Sequence, residues 1–97
     1  MAKYIILINW TDQGIRSVKE SPKRLDAARA LAKKLDARMT DFYMTMGGYD
    51  MIAHVEAPDD ITIAKFNLAL GSGGNVRTTT LKALTEDEYR KVIGSLA

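Results

Sequence analysis

Apolar residues recur along this chain with two different spacings. Four segments have strand-like patterns: residues 3–10, 37–46, 49–57 and 75–84. The first is a continuous apolar run rich in isoleucine, which predicts a strand covered on both faces. The other three alternate between apolar and polar positions, as strands with one buried face do. Gly47-Gly48 separates the second segment from the third, and two glycines between alternating runs predict a two-residue hairpin turn.

Three other segments place apolar residues three or four positions apart, as amphipathic helices do. They extend over residues 21–35, 59–70 and 85–96. Ser21 and Pro22 predict the start of the first helix, because Ser caps free N–H groups and Pro is tolerated in a first turn. Thr85 and Glu88 form a capping-box pattern at the start of the last helix. The apolar stripe of that helix comprises Tyr89, Val92, Ile93 and Leu96.

The middle helix is more uniformly apolar than the others. We expect it to be buried on most sides, with six inward residues: Ile61, Ile63, Ala64, Asn67, Leu68 and Leu70. The Gly-rich segment over residues 71–74 is interpreted as the end of this helix and the turn into the last strand. A phosphate-binding loop would instead lead from a strand into a helix.

The elements follow the order strand–helix–strand–strand–helix–strand–helix. This order matches the ferredoxin-like βαββαβ arrangement with an extra C-terminal helix, so we predict an α+β fold built on an antiparallel sheet. We expect the first and third strands to be central and to run parallel to each other. With 97 residues and no internal repeat, the chain is expected to form a single domain over residues 1–97.

Composition and charge argue against several classes of function. The chain has no cysteine, which rules out disulfides, thiolate nucleophiles and iron–sulfur clusters. The net charge is only +2 and the basic residues are dispersed, whereas nucleic-acid-binding proteins usually concentrate them on one face. No apolar run is long enough for a membrane span or a signal segment, and the lack of cysteine fits a cytoplasmic protein. One histidine does not make a typical zinc site, and we expect neither metal nor cofactor.

The hairpin register predicts which side chains share a face of the sheet. With the two glycines as the turn, Asp41 lies opposite His54, and Tyr43 lies on the same face. The other residues expected on this face are Lys3, Ile5, Leu7, Asn9, Thr45, Asp50, Thr78 and Thr80. Three residues of the opposite face are expected to pack in the core: Met44, Met46 and Met51.

His54 and Asp41 are the strongest candidates for chemistry. A neighbouring carboxylate fixes the tautomer of an imidazole, and with Tyr43 and Asn9 nearby the pair could transfer a proton or bind an oxyanion. The residues expected to contact a ligand are Asn9, Tyr43, His54 and Arg77. A structural ion pair between neighbouring strands also accounts for His54 and Asp41, and this interpretation is favoured.

Asp50 and Tyr49 follow the hairpin glycines. If the first and third strands were parallel, Asp50 would lie near Lys3; alternatively, its carboxylate accepts backbone N–H groups around the turn. A buried carboxylate needs one or the other, because desolvating it alone is costly. Tyr49 is expected to bury its ring and to keep its hydroxyl at the rim.

The segment Gly48-Tyr49-Asp50, followed by residues 55–60, resembles the GYD-domain family, as do residues 11–16 and 74–78. The resemblance extends over nearly the whole chain. It implies a ferredoxin-like domain of the dimeric α/β-barrel type, in which the sheet face away from the helices meets a second copy. It implies no catalytic residues, and position 54 is apolar in many members. Gly47, Gly48, Tyr49 and Asp50 are therefore interpreted as a structural motif that sets the hairpin register.

These patterns predict a small homo-oligomeric cytoplasmic domain that binds a small polar or aromatic ligand at the sheet face between subunits. The expected partner is a second copy, in a dimer or a dimer-built higher oligomer, and neither nucleic acid nor membrane is an expected partner. Two alternatives stay open. One is a cofactor-independent oxygenase or isomerase that uses His54, Asp41 and Tyr43, and the other is a regulatory effector-binding module. The sequence does not decide whether the protein is an enzyme.

Overall fold

The structure is a computed structural model that describes residues 1–96. Its strands are β1 (Ala2–Trp10), β2 (Arg38–Met44), β3 (Met51–Ala57) and β4 (Val76–Ala83). Its helices are α1 (Asp12–Arg16), α2 (Ser21–Lys34), α3 (Asp60–Ser72) and α4 (Glu86–Gly94), with a 3-10 turn over Val18–Glu20. The predicted α+β class and ferredoxin-like order of elements are confirmed. The short helix α1 is an addition to them.

The strands form one sheet in the order β2-β3-β1-β4. The first and third strands are central, as predicted, but the expectation that they run parallel is wrong. β1 and β3 are antiparallel, with Lys3 opposite Glu56 and Ile8 opposite Met51. The reason is topological: the α2 crossover makes β2 run in the same direction as β1, and the hairpin then reverses the chain, so β3 enters between them in the opposite sense.

The hydrophobic core lies between one face of the sheet and the helices α2 and α3. Alternate residues of β1 and β3 point into it, because successive side chains of a strand point to opposite faces. The largest fully buried side chains are Phe66, Ile6 and Val55. The first strand was expected to be covered on both faces. Instead Ile5 and Leu7 are only partly buried, because both helices pack on the same side.

α3 is buried along one side rather than on most sides as predicted. Ile63, which was expected to face inward, is buried together with Phe66, whereas Ile61 and Leu68 are largely exposed. Apolar residues occur around most of this helix, so their spacing alone does not define an inward face. Asp59 begins the helix, and its carboxylate accepts the backbone N–H of Thr62 at 2.8 Å. Together with the preceding strand, this cap sets which face of the helix meets the sheet.

The β2–β3 hairpin keeps the predicted register but not the predicted turn. The N–H of Thr45 donates to the carbonyl of Asp50 at 2.8 Å, which closes a four-residue loop. Only Gly47 of the two loop glycines has a positive φ, 141°, so the loop is not a primed two-residue turn. Met46 lies in this loop and is 95% exposed, and Met44 is exposed as well. The prediction that both pack in the core is wrong; Met51 does pack there.

The connection after β1 contacts the loop that precedes β4. Thr11 accepts the N–H of Gly14 at 3.1 Å and donates its hydroxyl to the carbonyl of Gly74 at 2.5 Å. A Cβ atom on Gly14 would lie 2.0 Å from the carbonyl oxygen of Asn75, so only glycine is accommodated here. Two of the segments that resemble the GYD-domain family therefore pack against each other.

α2 begins at Ser21 itself, without the predicted side-chain cap.

Candidate functional site

The candidate site lies on the sheet face that α2 and α3 leave uncovered, which we call the open face. Its centre is apolar and comprises Ile5, Leu7, Tyr43, Ile52 and Leu81. The placement of Thr78 and Thr80 on this face is wrong. Thr80 pairs with the inward-facing Ile6, and its hydroxyl accepts a hydrogen bond from Asn67 of α3 at 2.6 Å. The neighbouring residues Thr79 and Leu81 take the outward positions instead.

His54 and Asp41 are paired across β3 and β2, as the register predicted. His54 Nδ1 lies 3.2 Å from Asp41 Oδ2, and the side chains are 43% and 47% exposed. Tyr43 stands edge-on to the imidazole, with ring centroids 6.1 Å apart. At this exposure an ion pair contributes ~1 kcal/mol or less to stability. The arrangement orients the imidazole, and Nε2 is the nitrogen left to bond a ligand.

A β-bulge shapes the edge of this site. The register of β2 against β3 shifts between Met39 and Asp41, which leaves Thr40 as the extra residue. Its hydroxyl lies 3.1 Å from Asp41 Oδ2 and 3.3 Å from the carbonyl oxygen of His54. Bulges commonly redirect a side chain next to functional sites. The bulge has a signal in the sequence that was not used: Met39 and Phe42 are three positions apart, which breaks the alternation, and both pack against the core.

Glu56 joins two basic residues beside the His54–Asp41 pair. It accepts a hydrogen bond from Lys3 Nζ at 2.7 Å and from an Arg38 guanidinium nitrogen at 2.8 Å. These hydrogen bonds, that from Lys3 first, hold the pKa of Glu56 below its usual value. A cavity of about 220 Å³ is lined by the polar residues Lys3, Thr40, Asp41, His54 and Glu56 together with Ile5. Arg38 was not predicted, because the register that places Asp41 opposite His54 would place Met39 opposite Glu56, and only the bulge brings Arg38 there.

Asn9 and Arg77 lie at the other end of the open face. Asn9 pairs with Arg77, whereas His54 pairs with Ile5, four residues away along β1 and so ~13 Å distant. The amide oxygen of Asn9 accepts the N–H of Asp50 at 3.0 Å. The structure therefore brings together His54, Asp41 and Tyr43, and it leaves Asn9 and Arg77 as a separate pair. A ligand role for these residues stays a prediction.

Asp50 and Tyr49 have structural positions. The expected proximity of Asp50 to Lys3 is wrong, because β1 and β3 are antiparallel. Asp50 Oδ2 accepts the N–H of Trp10 at 2.9 Å instead, which ties the hairpin loop to the end of β1. This agrees with the alternative in which Asp50 accepts a backbone N–H, although the donor belongs to β1. Tyr49 is 39% exposed, so its ring is not buried as expected.

Metal-binding clusters and membrane-spanning helices are both absent from the part of the chain that the structure describes. Within residues 1–96, no cluster of three or more His, Cys, Asp or Glu side chains could hold a metal ion. None of the helices in this range is both long and apolar enough to span a membrane.

Comparison with known proteins identifies relatives of the whole fold. The family model described as the GYD domain matches residues 4–93. A protein of Thermus thermophilus, described as glutamine synthetase and cystathionine beta-lyase binding protein, is 34% identical over 85 residues. The match covers 87% of this chain and 90% of that protein. The likeness therefore extends over nearly the full length of both.

Three crystal structures have a similar fold. MtbAldR has a TM-score of 0.68 and 19% identity over 88% of this chain. The Mycobacterium tuberculosis leucine response regulatory protein has a TM-score of 0.58 and 17% identity over 87% of this chain. This chain spans about half the length of each, 52% and 51%. TTHA0845 of Thermus thermophilus has a TM-score of 0.57 and 23% identity, covering 88% of this chain and 95% of its own.

Proposed function

We propose that this protein, which belongs to the GYD-domain family, is a homo-oligomeric binding module of the cytoplasm, built as one domain over residues 1–97. Two copies associate through their open faces and enclose a small polar or aromatic ligand between them. The main observation behind this proposal is the apolar centre of the open face, since no segment of residues 1–96 packs over it.

The argument for self-association is the chemistry of that centre. Tyr43 and Leu81 are about half exposed, at 55% and 47%, and the side chains of Ile5, Leu7 and Ile52 lie between them. A sheet stabilises itself by burying an apolar face against another layer, and contiguous exposed apolar surface marks interaction sites. A second open face supplies such a layer, and the ion pairs around its edge tolerate contact with solvent.

The argument for a ligand is the cavity at the edge of this centre. Its volume of about 220 Å³ suits a small molecule, and three kinds of contact are available at or beside it. In the lining, His54 offers a nitrogen for hydrogen bonding and Lys3 a positive charge; next to it, Tyr43 offers an aromatic ring against the imidazole of His54. A polar or aromatic molecule with an oxygen acceptor would use all three.

The Thermus relative supports a regulatory role for this binding. That protein is described as binding glutamine synthetase and cystathionine beta-lyase. We therefore propose that the present protein binds one or more metabolic enzymes, and that the ligand at the open face modulates the association. The partner enzymes of this chain are to be identified by copurification.

Native mass spectrometry of the protein purified from its own host tests the proposal, because it reports the assembly and any retained ligand together. We expect a dimer or a multiple of a dimer. Leu81→Asp should dissociate it, because a buried unpaired charge is strongly unfavourable. The matched control is Ile61→Asp, at an exposed apolar position of α3, which should leave the assembly intact. A wild-type protein that is only monomeric at micromolar concentration would refute the proposal.

The alternative is a cofactor-independent enzyme of the oxygenase or isomerase type. It is favoured by one observation, the 3.2 Å contact of His54 with Asp41 in a single cavity, with the ring of Tyr43 standing against the imidazole. In this function His54 is the general base, Asp41 orients it, and Tyr43 positions the substrate. His54→Ala should then abolish a measured turnover while the oligomer persists. Unchanged turnover would exclude His54 as the base.

A further inference from the structure

The helix α4 stands apart from the rest of the chain. Its apolar stripe of Tyr89, Val92, Ile93 and Leu96 is 50% to 68% exposed. The radius of gyration is 14.7 Å, whereas a compact chain of this length has about 12.5 Å. The difference agrees with a helix that projects from the body of the protein.

Such a helix needs a surface to cover its stripe. α4 has nine residues, and isolated helices shorter than ~12–15 residues are marginal in water. Its capping box is complete, since Thr85 and Glu88 each accept the backbone N–H of the other. A cap alone adds too little stability to replace tertiary packing. The stripe is therefore better explained as a contact surface than as a solvated face.

An apolar groove lies on the helix-covered side of the molecule, between the start of α2 and the edge strand β2. It has a volume of about 310 Å³. The apolar residues that line it are Trp10, Val18, Leu25, Phe42, Met44 and Met51. Met44, which was expected in the core, is exposed at its rim. An amphipathic helix that lays its apolar side into such a groove is a recurrent mode of recognition.

The charges around the groove complement those of α4. The first turn of α4 contains Glu86, Asp87 and Glu88. Beside the groove, the 3-10 turn before α2 contains the exposed Lys19, and the first turn of α2 contains the exposed Lys23, which also lies 3.6 Å from Glu20. Opposite charges at the edge of an interface orient the partners and accelerate their association. The groove is therefore suited to a helix with an acidic N-terminus.

The α4 of the same chain cannot reach this groove. α4 follows β4, whose last residue Ala83 pairs with Lys3, whereas the groove begins beside Trp10. These ends of β1 are seven residues or ~23 Å apart. The connection from Ala83 to Glu86 spans at most ~11 Å, and the helix is ~14 Å long. The groove also lies at β2, the edge of the sheet opposite to β4, which is three strand spacings or ~14 Å across the sheet. The helix available to fill it is therefore that of another copy.

We infer that α4 is an exchanged arm, whose apolar stripe docks into the groove of a neighbouring copy of this chain. The inference rests on the self-association proposed above and adds a second contact to it. The open faces supply one contact, and the exchanged α4 helices supply the other. The oligomer is then tied together at two surfaces that different substitutions disrupt.

Engineered cysteines test this contact without interference, because the natural chain has none. Met44→Cys marks the groove and Val92→Cys marks the stripe. The two single variants are mixed and oxidised, and the products are separated without reductant. We expect a disulfide-linked heterodimer of the two variants, which only a contact between copies can form. The matched control replaces Val92→Cys by Lys91→Cys, on the polar side of α4. It should give at most one-tenth as much disulfide-linked heterodimer.

The outcomes separate this inference from the function proposed above. The Val92→Asp variant should weaken assembly at least tenfold by light scattering, and Lys91→Asp should not. If cross-linking is equal for positions 91 and 92, and Val92→Asp assembles normally while Leu81→Asp does not, the arm is refuted and the open-face contact stands. If Leu81→Asp assembles normally while Val92→Asp does not, the open-face contact is refuted and the arm stands. Assembly that neither substitution alters refutes both.

Discussion

The two faces of the same sheet solve different physical problems. The face under α2 and α3 buries Ile6, Ala53 and Val55 almost completely. Among residues 1–96, none with a polar or charged side chain is buried. The open face combines an apolar centre with the His54–Asp41 pair. Because strand side chains alternate, each strand contributes to both faces. Stability is therefore concentrated on one side, which leaves the other free to vary for binding.

The largest expected effect is on the covered face. Phe66→Ala should lower the free energy of unfolding by ~3–5 kcal/mol, because it leaves a cavity at a fully buried position. The matched change on the open face, Leu81→Ala, should lower it by less than ~1 kcal/mol when copies are dissociated. Denaturant unfolding of dilute protein measures both. Equal losses would mean that the two faces do not divide stability in this way.

The close contact at Gly14 gives a second test of the covered side. Gly14→Ala should lower the free energy of unfolding by ~1–3 kcal/mol, because its Cβ would lie 2.0 Å from a carbonyl oxygen. Gly71→Ala is the matched control, since nothing lies within 4 Å of a Cβ atom there. In helix α3 that change should be neutral or stabilising by up to ~1 kcal/mol. The midpoint of thermal unfolding should fall for Gly14→Ala and stay the same or rise for Gly71→Ala. A neutral Gly14→Ala would contradict the close approach.

A third comparison uses alkaline pH. Burial, and then the hydrogen bond to Asp60 at 2.5 Å, raises the pKa of Tyr4 to about 12 from 10.0. The folded chain therefore holds this proton more tightly than the unfolded chain does. The resulting stability is complete below pH 10 and is lost as the pH rises through 12. Unfolding measured against pH should show this loss.

Two variants test whether Tyr4 causes this loss of stability at alkaline pH. Tyr4→Phe removes the ionisable group from the covered face and should flatten the stability profile in this window. Tyr89→Phe changes an exposed residue of α4 and should leave the profile unchanged. The same loss in the Tyr4→Phe variant would show that another group is responsible.

The smallest expected effect on stability is at the open face. His54→Ala should change the free energy of unfolding by ~1 kcal/mol or less, because the His54–Asp41 pair is nearly half exposed. It should nevertheless remove any ligand retained in native mass spectrometry, since the cavity loses its hydrogen-bonding nitrogen. Thr79→Ala is the control on the same face. A large loss of stability in His54→Ala would favour a purely structural role for the pair.

Much of the fold could be predicted because it depends on neighbours in sequence. The alternation of residues 41–44 and 51–54 placed Asp41 opposite His54 even though the turn differed, because Thr45 and Asp50 still pair across the loop. The capping box of α4 could be predicted for the same reason, because its two residues, Thr85 and Glu88, are only three positions apart. The candidate site was predicted less completely. The bulge at Thr40 and the Glu56 ion pairs require the strand pairing of β2, β3 and β1 together.

The sequence by itself determined the order of elements, the hairpin register and the membership of His54, Asp41 and Tyr43 in one face. These follow from periods of two and of three to four residues, which act over short stretches of chain. Only the tertiary structure decided that β1 and β3 are antiparallel, that Thr80 faces α3, and that Met44 is exposed. Each of these depends on contacts between distant segments, and an apolar side chain has no local signal for which layer will cover it.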